Sequence, residues 1–141
     1  MIHFSMINVE VPGLNPELFV LWLSDVVENE GKLRGDINIV FCSDENLLDM
    51  NIKYLDHDYY TDIITFDYCE GDIVSGDLFI SIDRVKENAV LLKEEYTREL
   101  KRVCVHGVLH LCGYGDNTDH EETSMRELEN FYLERYVSRG T

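Results

Sequence analysis

The sequence predicts one α+β domain over residues 1–141, a mixed sheet of about four strands covered by helices, and three observations carry that expectation. Strand-like apolar runs fall before residue 84 and alternate with helical patterns. Everything after Asp83 is helical in pattern. Finally, 141 residues with 45% hydrophobic content can bury one core, and no repeat, low-complexity tract or Gly/Ser linker divides them.

Along the chain, "HFSMINVEV" (3–11) alternates as a half-buried strand does. "NPELFVLWLSDVVENEG" (15–31) puts Leu18, Trp22 and Val26 on one helical stripe, with Asn15 and Pro16 as cap and first turn and Gly31 as the stop. The dense apolar run "DINIVFC" (36–42) reads as a buried strand, and Ser43 caps the helical pattern of "SDENLLDMNIKYL" (43–55). "TDIITFDY" (61–68) and "GDLFISID" (76–83) are two further strands by their β-branched and aromatic content, with turn-prone "EGDIVSG" (70–76) between them. Three helical patterns complete the chain: "DRVKENAVLLKEEY" (83–96), a helix capped by Thr97 and running to Cys112, and "DHEETSMRELENFYLERY" (119–136).

Composition excludes several classes. No run reaches the eighteen or so apolar residues of a membrane span, and "MIHFSMINVEVPG" lacks the basic start and apolar block of a secretory leader, so a soluble, cytoplasmic protein without a membrane partner is expected. Cys42, Cys69, Cys104 and Cys112 are scattered without a C-x-x-C pair and read as reduced, buried small hydrophobes. A net charge of −16 repels polyanions at long range, so binding to a nucleic acid needs a local device: a metal, a basic cluster such as Lys101 and Arg102, or a partner that presents the strand.

The stretch that carries chemistry is "HGVLHLCGYGD". Residues i and i+4 share a helix face, so His106 and His110 direct two imidazoles at one point. Gly113 suits the left-handed position that ends the helix, and the chain turns back toward the pair. Asp116 lies where a third ligand belongs, with His120 as its rival. Three ligands leave one tetrahedral position open, the layout of catalytic zinc, which lowers the pKa of bound water to about 7 and makes hydrolysis the natural chemistry. Cys104 and Cys112 lie off the 106/110 face. Gly107 stands where H-E-x-x-H peptidases place their glutamate base, which disfavours peptide hydrolysis; it also lets another backbone approach the helix.

On these residues the sequence resembles the YbeY family, metal-dependent bacterial endoribonucleases of ribosomal RNA maturation. The family pattern H-G-x-L-H-L-x-G-Y-D-H is matched at His106, Gly107, Leu109, His110, Leu111, Gly113 and Tyr114. Thr61, Asp62 and Phe66 match the upstream block T-D-V-L-S-F, and "GDLFIS" resembles the strand that follows. The resemblance implies one zinc per chain and cleavage of single-stranded RNA at the small-subunit 3′ end and in ribosome quality control. It also implies a ribosomal particle or protein partner, and no DNA substrate. Two positions depart from the pattern: Asp116 stands where the family has a third histidine, and Leu55 follows Tyr54 where the family carries an arginine. Lys53, Arg84 and Lys101 are candidate replacements for that cation.

Other polar residues carry paired readings. Thr61 and Asp62 either line the metal cavity or begin a strand; His57 is a loop ligand or, ahead of that, a solvated loop histidine, and His3 is a structural one. Tyr59, Tyr60, Tyr68 and Tyr114 read as core or rim packing ahead of base stacking. Two further functions stay open, a ribosome-assembly binding module with a structural or vestigial metal and a small-molecule metallohydrolase. Iron, nickel and manganese also suit the donor set.

Overall fold

The computed structural model describes residues 1–11 and 13–140, with side chains through Tyr136; Pro12 and Thr141 lie outside it. Its elements are β1 (Ile2–Met6), α1 (Pro16–Asn29), β2 (Leu33–Cys42), α2 (Asp44–Leu55), β3 (Ile63–Asp67), β4 (Ile73–Ser81), α3 (Ile82–Leu92), α4 (Tyr96–Leu111) and α5 (Asp119–Gly140). The strands order β1-β2-β4-β3; β1, β2 and β4 run parallel and β3 returns antiparallel on the edge. This is the mixed four-stranded α+β domain the sequence predicts.

Local chemistry explains most boundaries. The Asn15 side chain accepts from the Leu18 N–H, and Ser43 does the same for Asn46, each filling one orphan donor at a helix start. Gly31, at φ +75, follows the end of α1. Several expectations move. β1 stops at Met6, where pairing with Phe41 of β2 ends and Asn8 turns to positive φ. β4 starts at Ile73, inside the stretch read as turn, because Ile73 and Val74 pair with Leu33 and Arg34. Thr97 is not the cap of α4: the chain leaves the left-handed Lys93 at the end of α3, is extended at Glu95, and is already helical at Tyr96.

Alternation along the strands gives the sheet two covered faces. Ile37, Ile39, Phe41, Leu78 and Ile80 join the main core with α1, α4 and α5, while Ile64, Phe66 and Phe79 turn to Leu47 and Met50 of α2. α4 is the central helix, buried at Leu100, Val103, Val105, Val108 and Leu109. What approaches Gly107 is side chain rather than a second backbone: a methyl there would stand 2.7 Å from Ile63 Cδ1 and 2.9 Å from Leu78 Cδ1. α5 docks through Met125, Tyr132, Leu133 and Tyr136, of which Met125 and Leu133 are each worth about 1.5–3 kcal/mol on full burial, and the Trp22 Nε1–H donates to the Tyr132 carbonyl at 2.6 Å. That docking brings α5 alongside the end of α4.

All four cysteines are free thiols. Cys42, Cys104 and Cys112 are buried as expected, and burial pushes Cys42 up to about 11 and Cys112 up to about 12. Cys69 is only half-buried. Among the described residues no helix is long and apolar enough to cross a membrane.

Candidate metal centre

Helical spacing stacks His106 and His110 at the C-terminal end of α4, with ring centroids 4.5 Å apart and planes at 86°. The helix then closes on a paired motif: the Gly113 N–H bonds the His110 carbonyl at 3.0 Å and the Tyr114 N–H bonds the Leu109 carbonyl at 3.1 Å. Gly113, at φ +109, supplies the conformation that this reversal demands. On the far side Thr118 Oγ1 accepts from the Glu121 N–H at 3.1 Å and starts α5. Asp116 sits in the short turn fastened at both ends. Its Oδ2 lies 3.4 Å from Nε2 of His106 and 3.4 Å from Nε2 of His110.

Each imidazole is held by its other nitrogen. His110 Nδ1–H donates to the Tyr114 carbonyl at 2.8 Å, and His106 Nδ1–H donates to Glu129 Oε2 at 2.6 Å. Both Nε2 lone pairs are therefore left for an electron acceptor. Donors about 2.0–2.1 Å from a tetrahedral ion stand about 3.3 Å apart, which the Nε2–Oδ2 spacings match. All three ligand atoms lie within 4.8 Å of one another, so the residues present fit a divalent cation. His120, exposed in the first turn of α5, is not in that group.

Two clefts meet at His106 and Asp116. One, of about 450 Å³, is walled by Thr61, Asp62, Ile63, Thr65 and Asp67 and also reaches His110. The other, of about 550 Å³, is walled by Arg102 and by Glu122, Arg126 and Glu129 of α5. Thr61 and Asp62 thus serve both their readings, leading into β3 and lining the site. Burial pushes the Asp62 carboxyl above the usual range, against the pull of Arg102 and His106. Burial acts the same way on Glu129, but there the His106 hydrogen bond and Arg102 outweigh it and hold the carboxyl low.

The candidate replacement cations are engaged elsewhere. Lys53 lies over the Tyr54 ring, Lys101 over Tyr136, and Arg84 pairs with Asp44 at 2.8 Å; none lines either cleft. Leu55 ends α2 and lines neither. Arg102 does line one, but it is sequestered between Glu99 and Glu129. Arg126, 55% exposed and 3.8 Å from Glu129, is the accessible cation of that wall. Tyr59, Tyr60, Tyr68 and Tyr114 are exposed, at the rim and not in the core; Tyr60 donates to Glu45 and Tyr114 to Glu30. His57 stacks on Tyr59 in an exposed loop, and His3 is exposed on β1.

Sequence reasoning missed Glu129 and Arg126. A signal for Glu129 was present: it shares the apolar stripe of Met125, Tyr132, Leu133 and Tyr136, where an unpartnered carboxylate is costly. Its partner on another helix had no sequence trace.

Comparison with known proteins agrees with this architecture. A Thermotoga maritima protein solved in solution superposes with a TM-score of 0.69 at 27% identity, over 99% of this chain and 91% of that one. A Phocaeicola vulgatus relative named endoribonuclease YbeY is 48% identical over 130 residues, 92% of this chain and 94% of its own length. A Parabacteroides distasonis relative of the same name is 49% identical over 123 residues, 87% of each. The family model described as endoribonuclease YbeY matches residues 14–137, and with relatives this similar over nearly their whole lengths the chain belongs to the YbeY family.

Proposed function

We propose that this protein is a cytoplasmic, zinc-dependent endoribonuclease, one domain over residues 1–141, that cuts single-stranded ribosomal RNA in small-subunit 3′-end maturation and ribosome quality control. His106, His110 and Asp116 hold the metal. The observation that carries the reading is the convergence of both Nε2 atoms on Asp116 Oδ2 at 3.4 Å, in a chain of the YbeY family.

When bound, zinc supplies ionisation of water near neutral pH and positive charge against a phosphate. The chain's own residues do the rest. The Tyr114 carbonyl and Glu129 keep both imidazoles in the Nδ1–H tautomer, and Asp116 contributes one negative charge, leaving the loaded donor set net positive. Arg126 reaches a strand phosphate from the α5 wall. Asp62, whose carboxyl is pushed upward by burial, holds a proton at that oxygen more readily than an exposed aspartate does. With −16 net charge the affinity for free RNA is modest, so a ribosomal particle or protein partner presents the strand.

The test is elemental analysis together with cleavage of a single-stranded RNA, with and without ribosomal particles, by native, chelated and zinc-reloaded protein. The expected result is one zinc per chain and cleavage lost on chelation and regained on reloading. Zinc-loaded protein that cuts no RNA in either setting overturns the nuclease and leaves a contact-only assembly module.

A further inference from the structure

We propose that Glu129 is the positioning residue of the metal centre: from a second helix it fixes the tautomer and orientation of His106 and strengthens that imidazole as a ligand, with Arg102 as its counter-charge. The inference rests on the metal reading above and goes beyond it by assigning a role to a residue that touches no metal.

Glu129 is only 2% exposed, so its carboxylate has exchanged water for protein partners. Its two oxygens divide the work. Oε2 takes the His106 Nδ1–H at 2.6 Å, and Oε1 faces Arg102 Nη1 at 3.2 Å. Pairing with Arg102 alone does not account for it, because Glu99 already binds the same guanidinium through Nε at 2.7 Å and through Nη2. What Glu129 adds is a charged acceptor aimed at His106.

The other ligand histidine provides an internal contrast. His110 donates to a neutral backbone carbonyl that comes with the Gly113 turn, so its orientation is set by local sequence. His106 donates to a carboxylate that arrives with α5, fifth in the order of helices. An imidazole that donates to a carboxylate is the more basic ligand at its free nitrogen. The two histidines are thus unequal, and the affinity of the centre depends on the docking of α5.

The test compares wild type, Glu129→Gln and Glu129→Leu. Zinc affinity is read by competition with a chromophoric chelator, the ligand field by visible absorption of the cobalt-loaded forms, and stability by thermal unfolding of the metal-free forms. Glutamine keeps the size and one acceptor oxygen but removes the charge, so zinc binding weakens about 10-fold; leucine removes both, and binding weakens about 100-fold. The cobalt bands shift in the same order. Unchanged zinc affinity and cobalt bands in Glu129→Gln overturn the proposal whatever happens to stability, and this variant decides if Glu129→Leu does not fold. Absence of zinc binding by the reconstituted wild type overturns the metal reading instead, and this inference with it.

Discussion

Two polar clusters are built on α4 and its neighbours one turn apart, on opposite plans. At Glu99 and Arg102, carboxylates and guanidinium meet in the interior: Glu99 is 1% exposed, and Arg102 is shared between it and Glu129. Every strong charge there has a partner of opposite sign. At His106, His110 and Asp116 the donors that converge are all electron-pair donors, partly exposed, with two clefts opening on them. The first cluster satisfies its own charges; the second gathers three lone-pair donors in the arrangement that the proposed metal would take. Glu129 belongs to both, since one of its oxygens faces each.

The largest expected effect breaks the second cluster alone. Asp116→Ala should abolish stoichiometric zinc and RNA cleavage, while the stability of the metal-free protein in urea changes by less than about 0.5 kcal/mol. Retention of zinc by this variant, together with its loss in His120→Ala, would reverse the assignment of the third ligand.

Next is a change in the first cluster. Arg102→Leu strands Glu99 and Glu129 as buried carboxylates without their cation, at a cost of about 3–5 kcal/mol in urea unfolding. A loss below about 1 kcal/mol would mean that water reaches these carboxylates and that the Glu99–Arg102 cluster is not a buried, self-satisfied one.

The smallest effect sharpens the boundary between the clusters. Arg126 touches Glu129 only at 3.8 Å and is mostly solvated, so Arg126→Ala should leave the melting temperature nearly unchanged. Its effect should appear in RNA binding, where the salt dependence of log affinity falls by about one unit, the signature of one lost phosphate contact. An unchanged slope would remove Arg126 from the substrate path.

Much of this was legible in the residues. The caps Asn15 and Ser43 act within three residues of themselves, and the histidine pair and Gly113 follow from helical geometry, so neither needs the rest of the chain to be read. Asp116 was legible for the same reason, being carried back by a turn whose hydrogen bonds are local. Thr97 misled because a good capping residue is not a cap unless the chain enters the helix there, and the end of α3 brought the chain into α4 at Tyr96. Of the two packing readings of the tyrosines, core and rim, the exposed positions leave the rim: Tyr60 and Tyr114 hydrogen-bond Glu45 and Glu30, and Tyr59 stacks on His57. Lys53, Arg84 and Lys101 line neither cleft, while the accessible arginine of the cleft wall, Arg126, stands on α5.

By itself the sequence determined the short-range parts: the element types, the ends of the turn after α4 and the convergence of His106, His110 and Asp116, because each depends on dihedral preference and hydrogen bonds between near neighbours. Only the tertiary structure decided the strand order, the two clefts, and the meeting of His106 with Glu129, twenty-three positions away along the chain. The physical reason is burial. A carboxylate on an apolar stripe is tolerable only where packing delivers a proton donor and a cation together, and the docking of α5 on Trp22 and α4 delivers both.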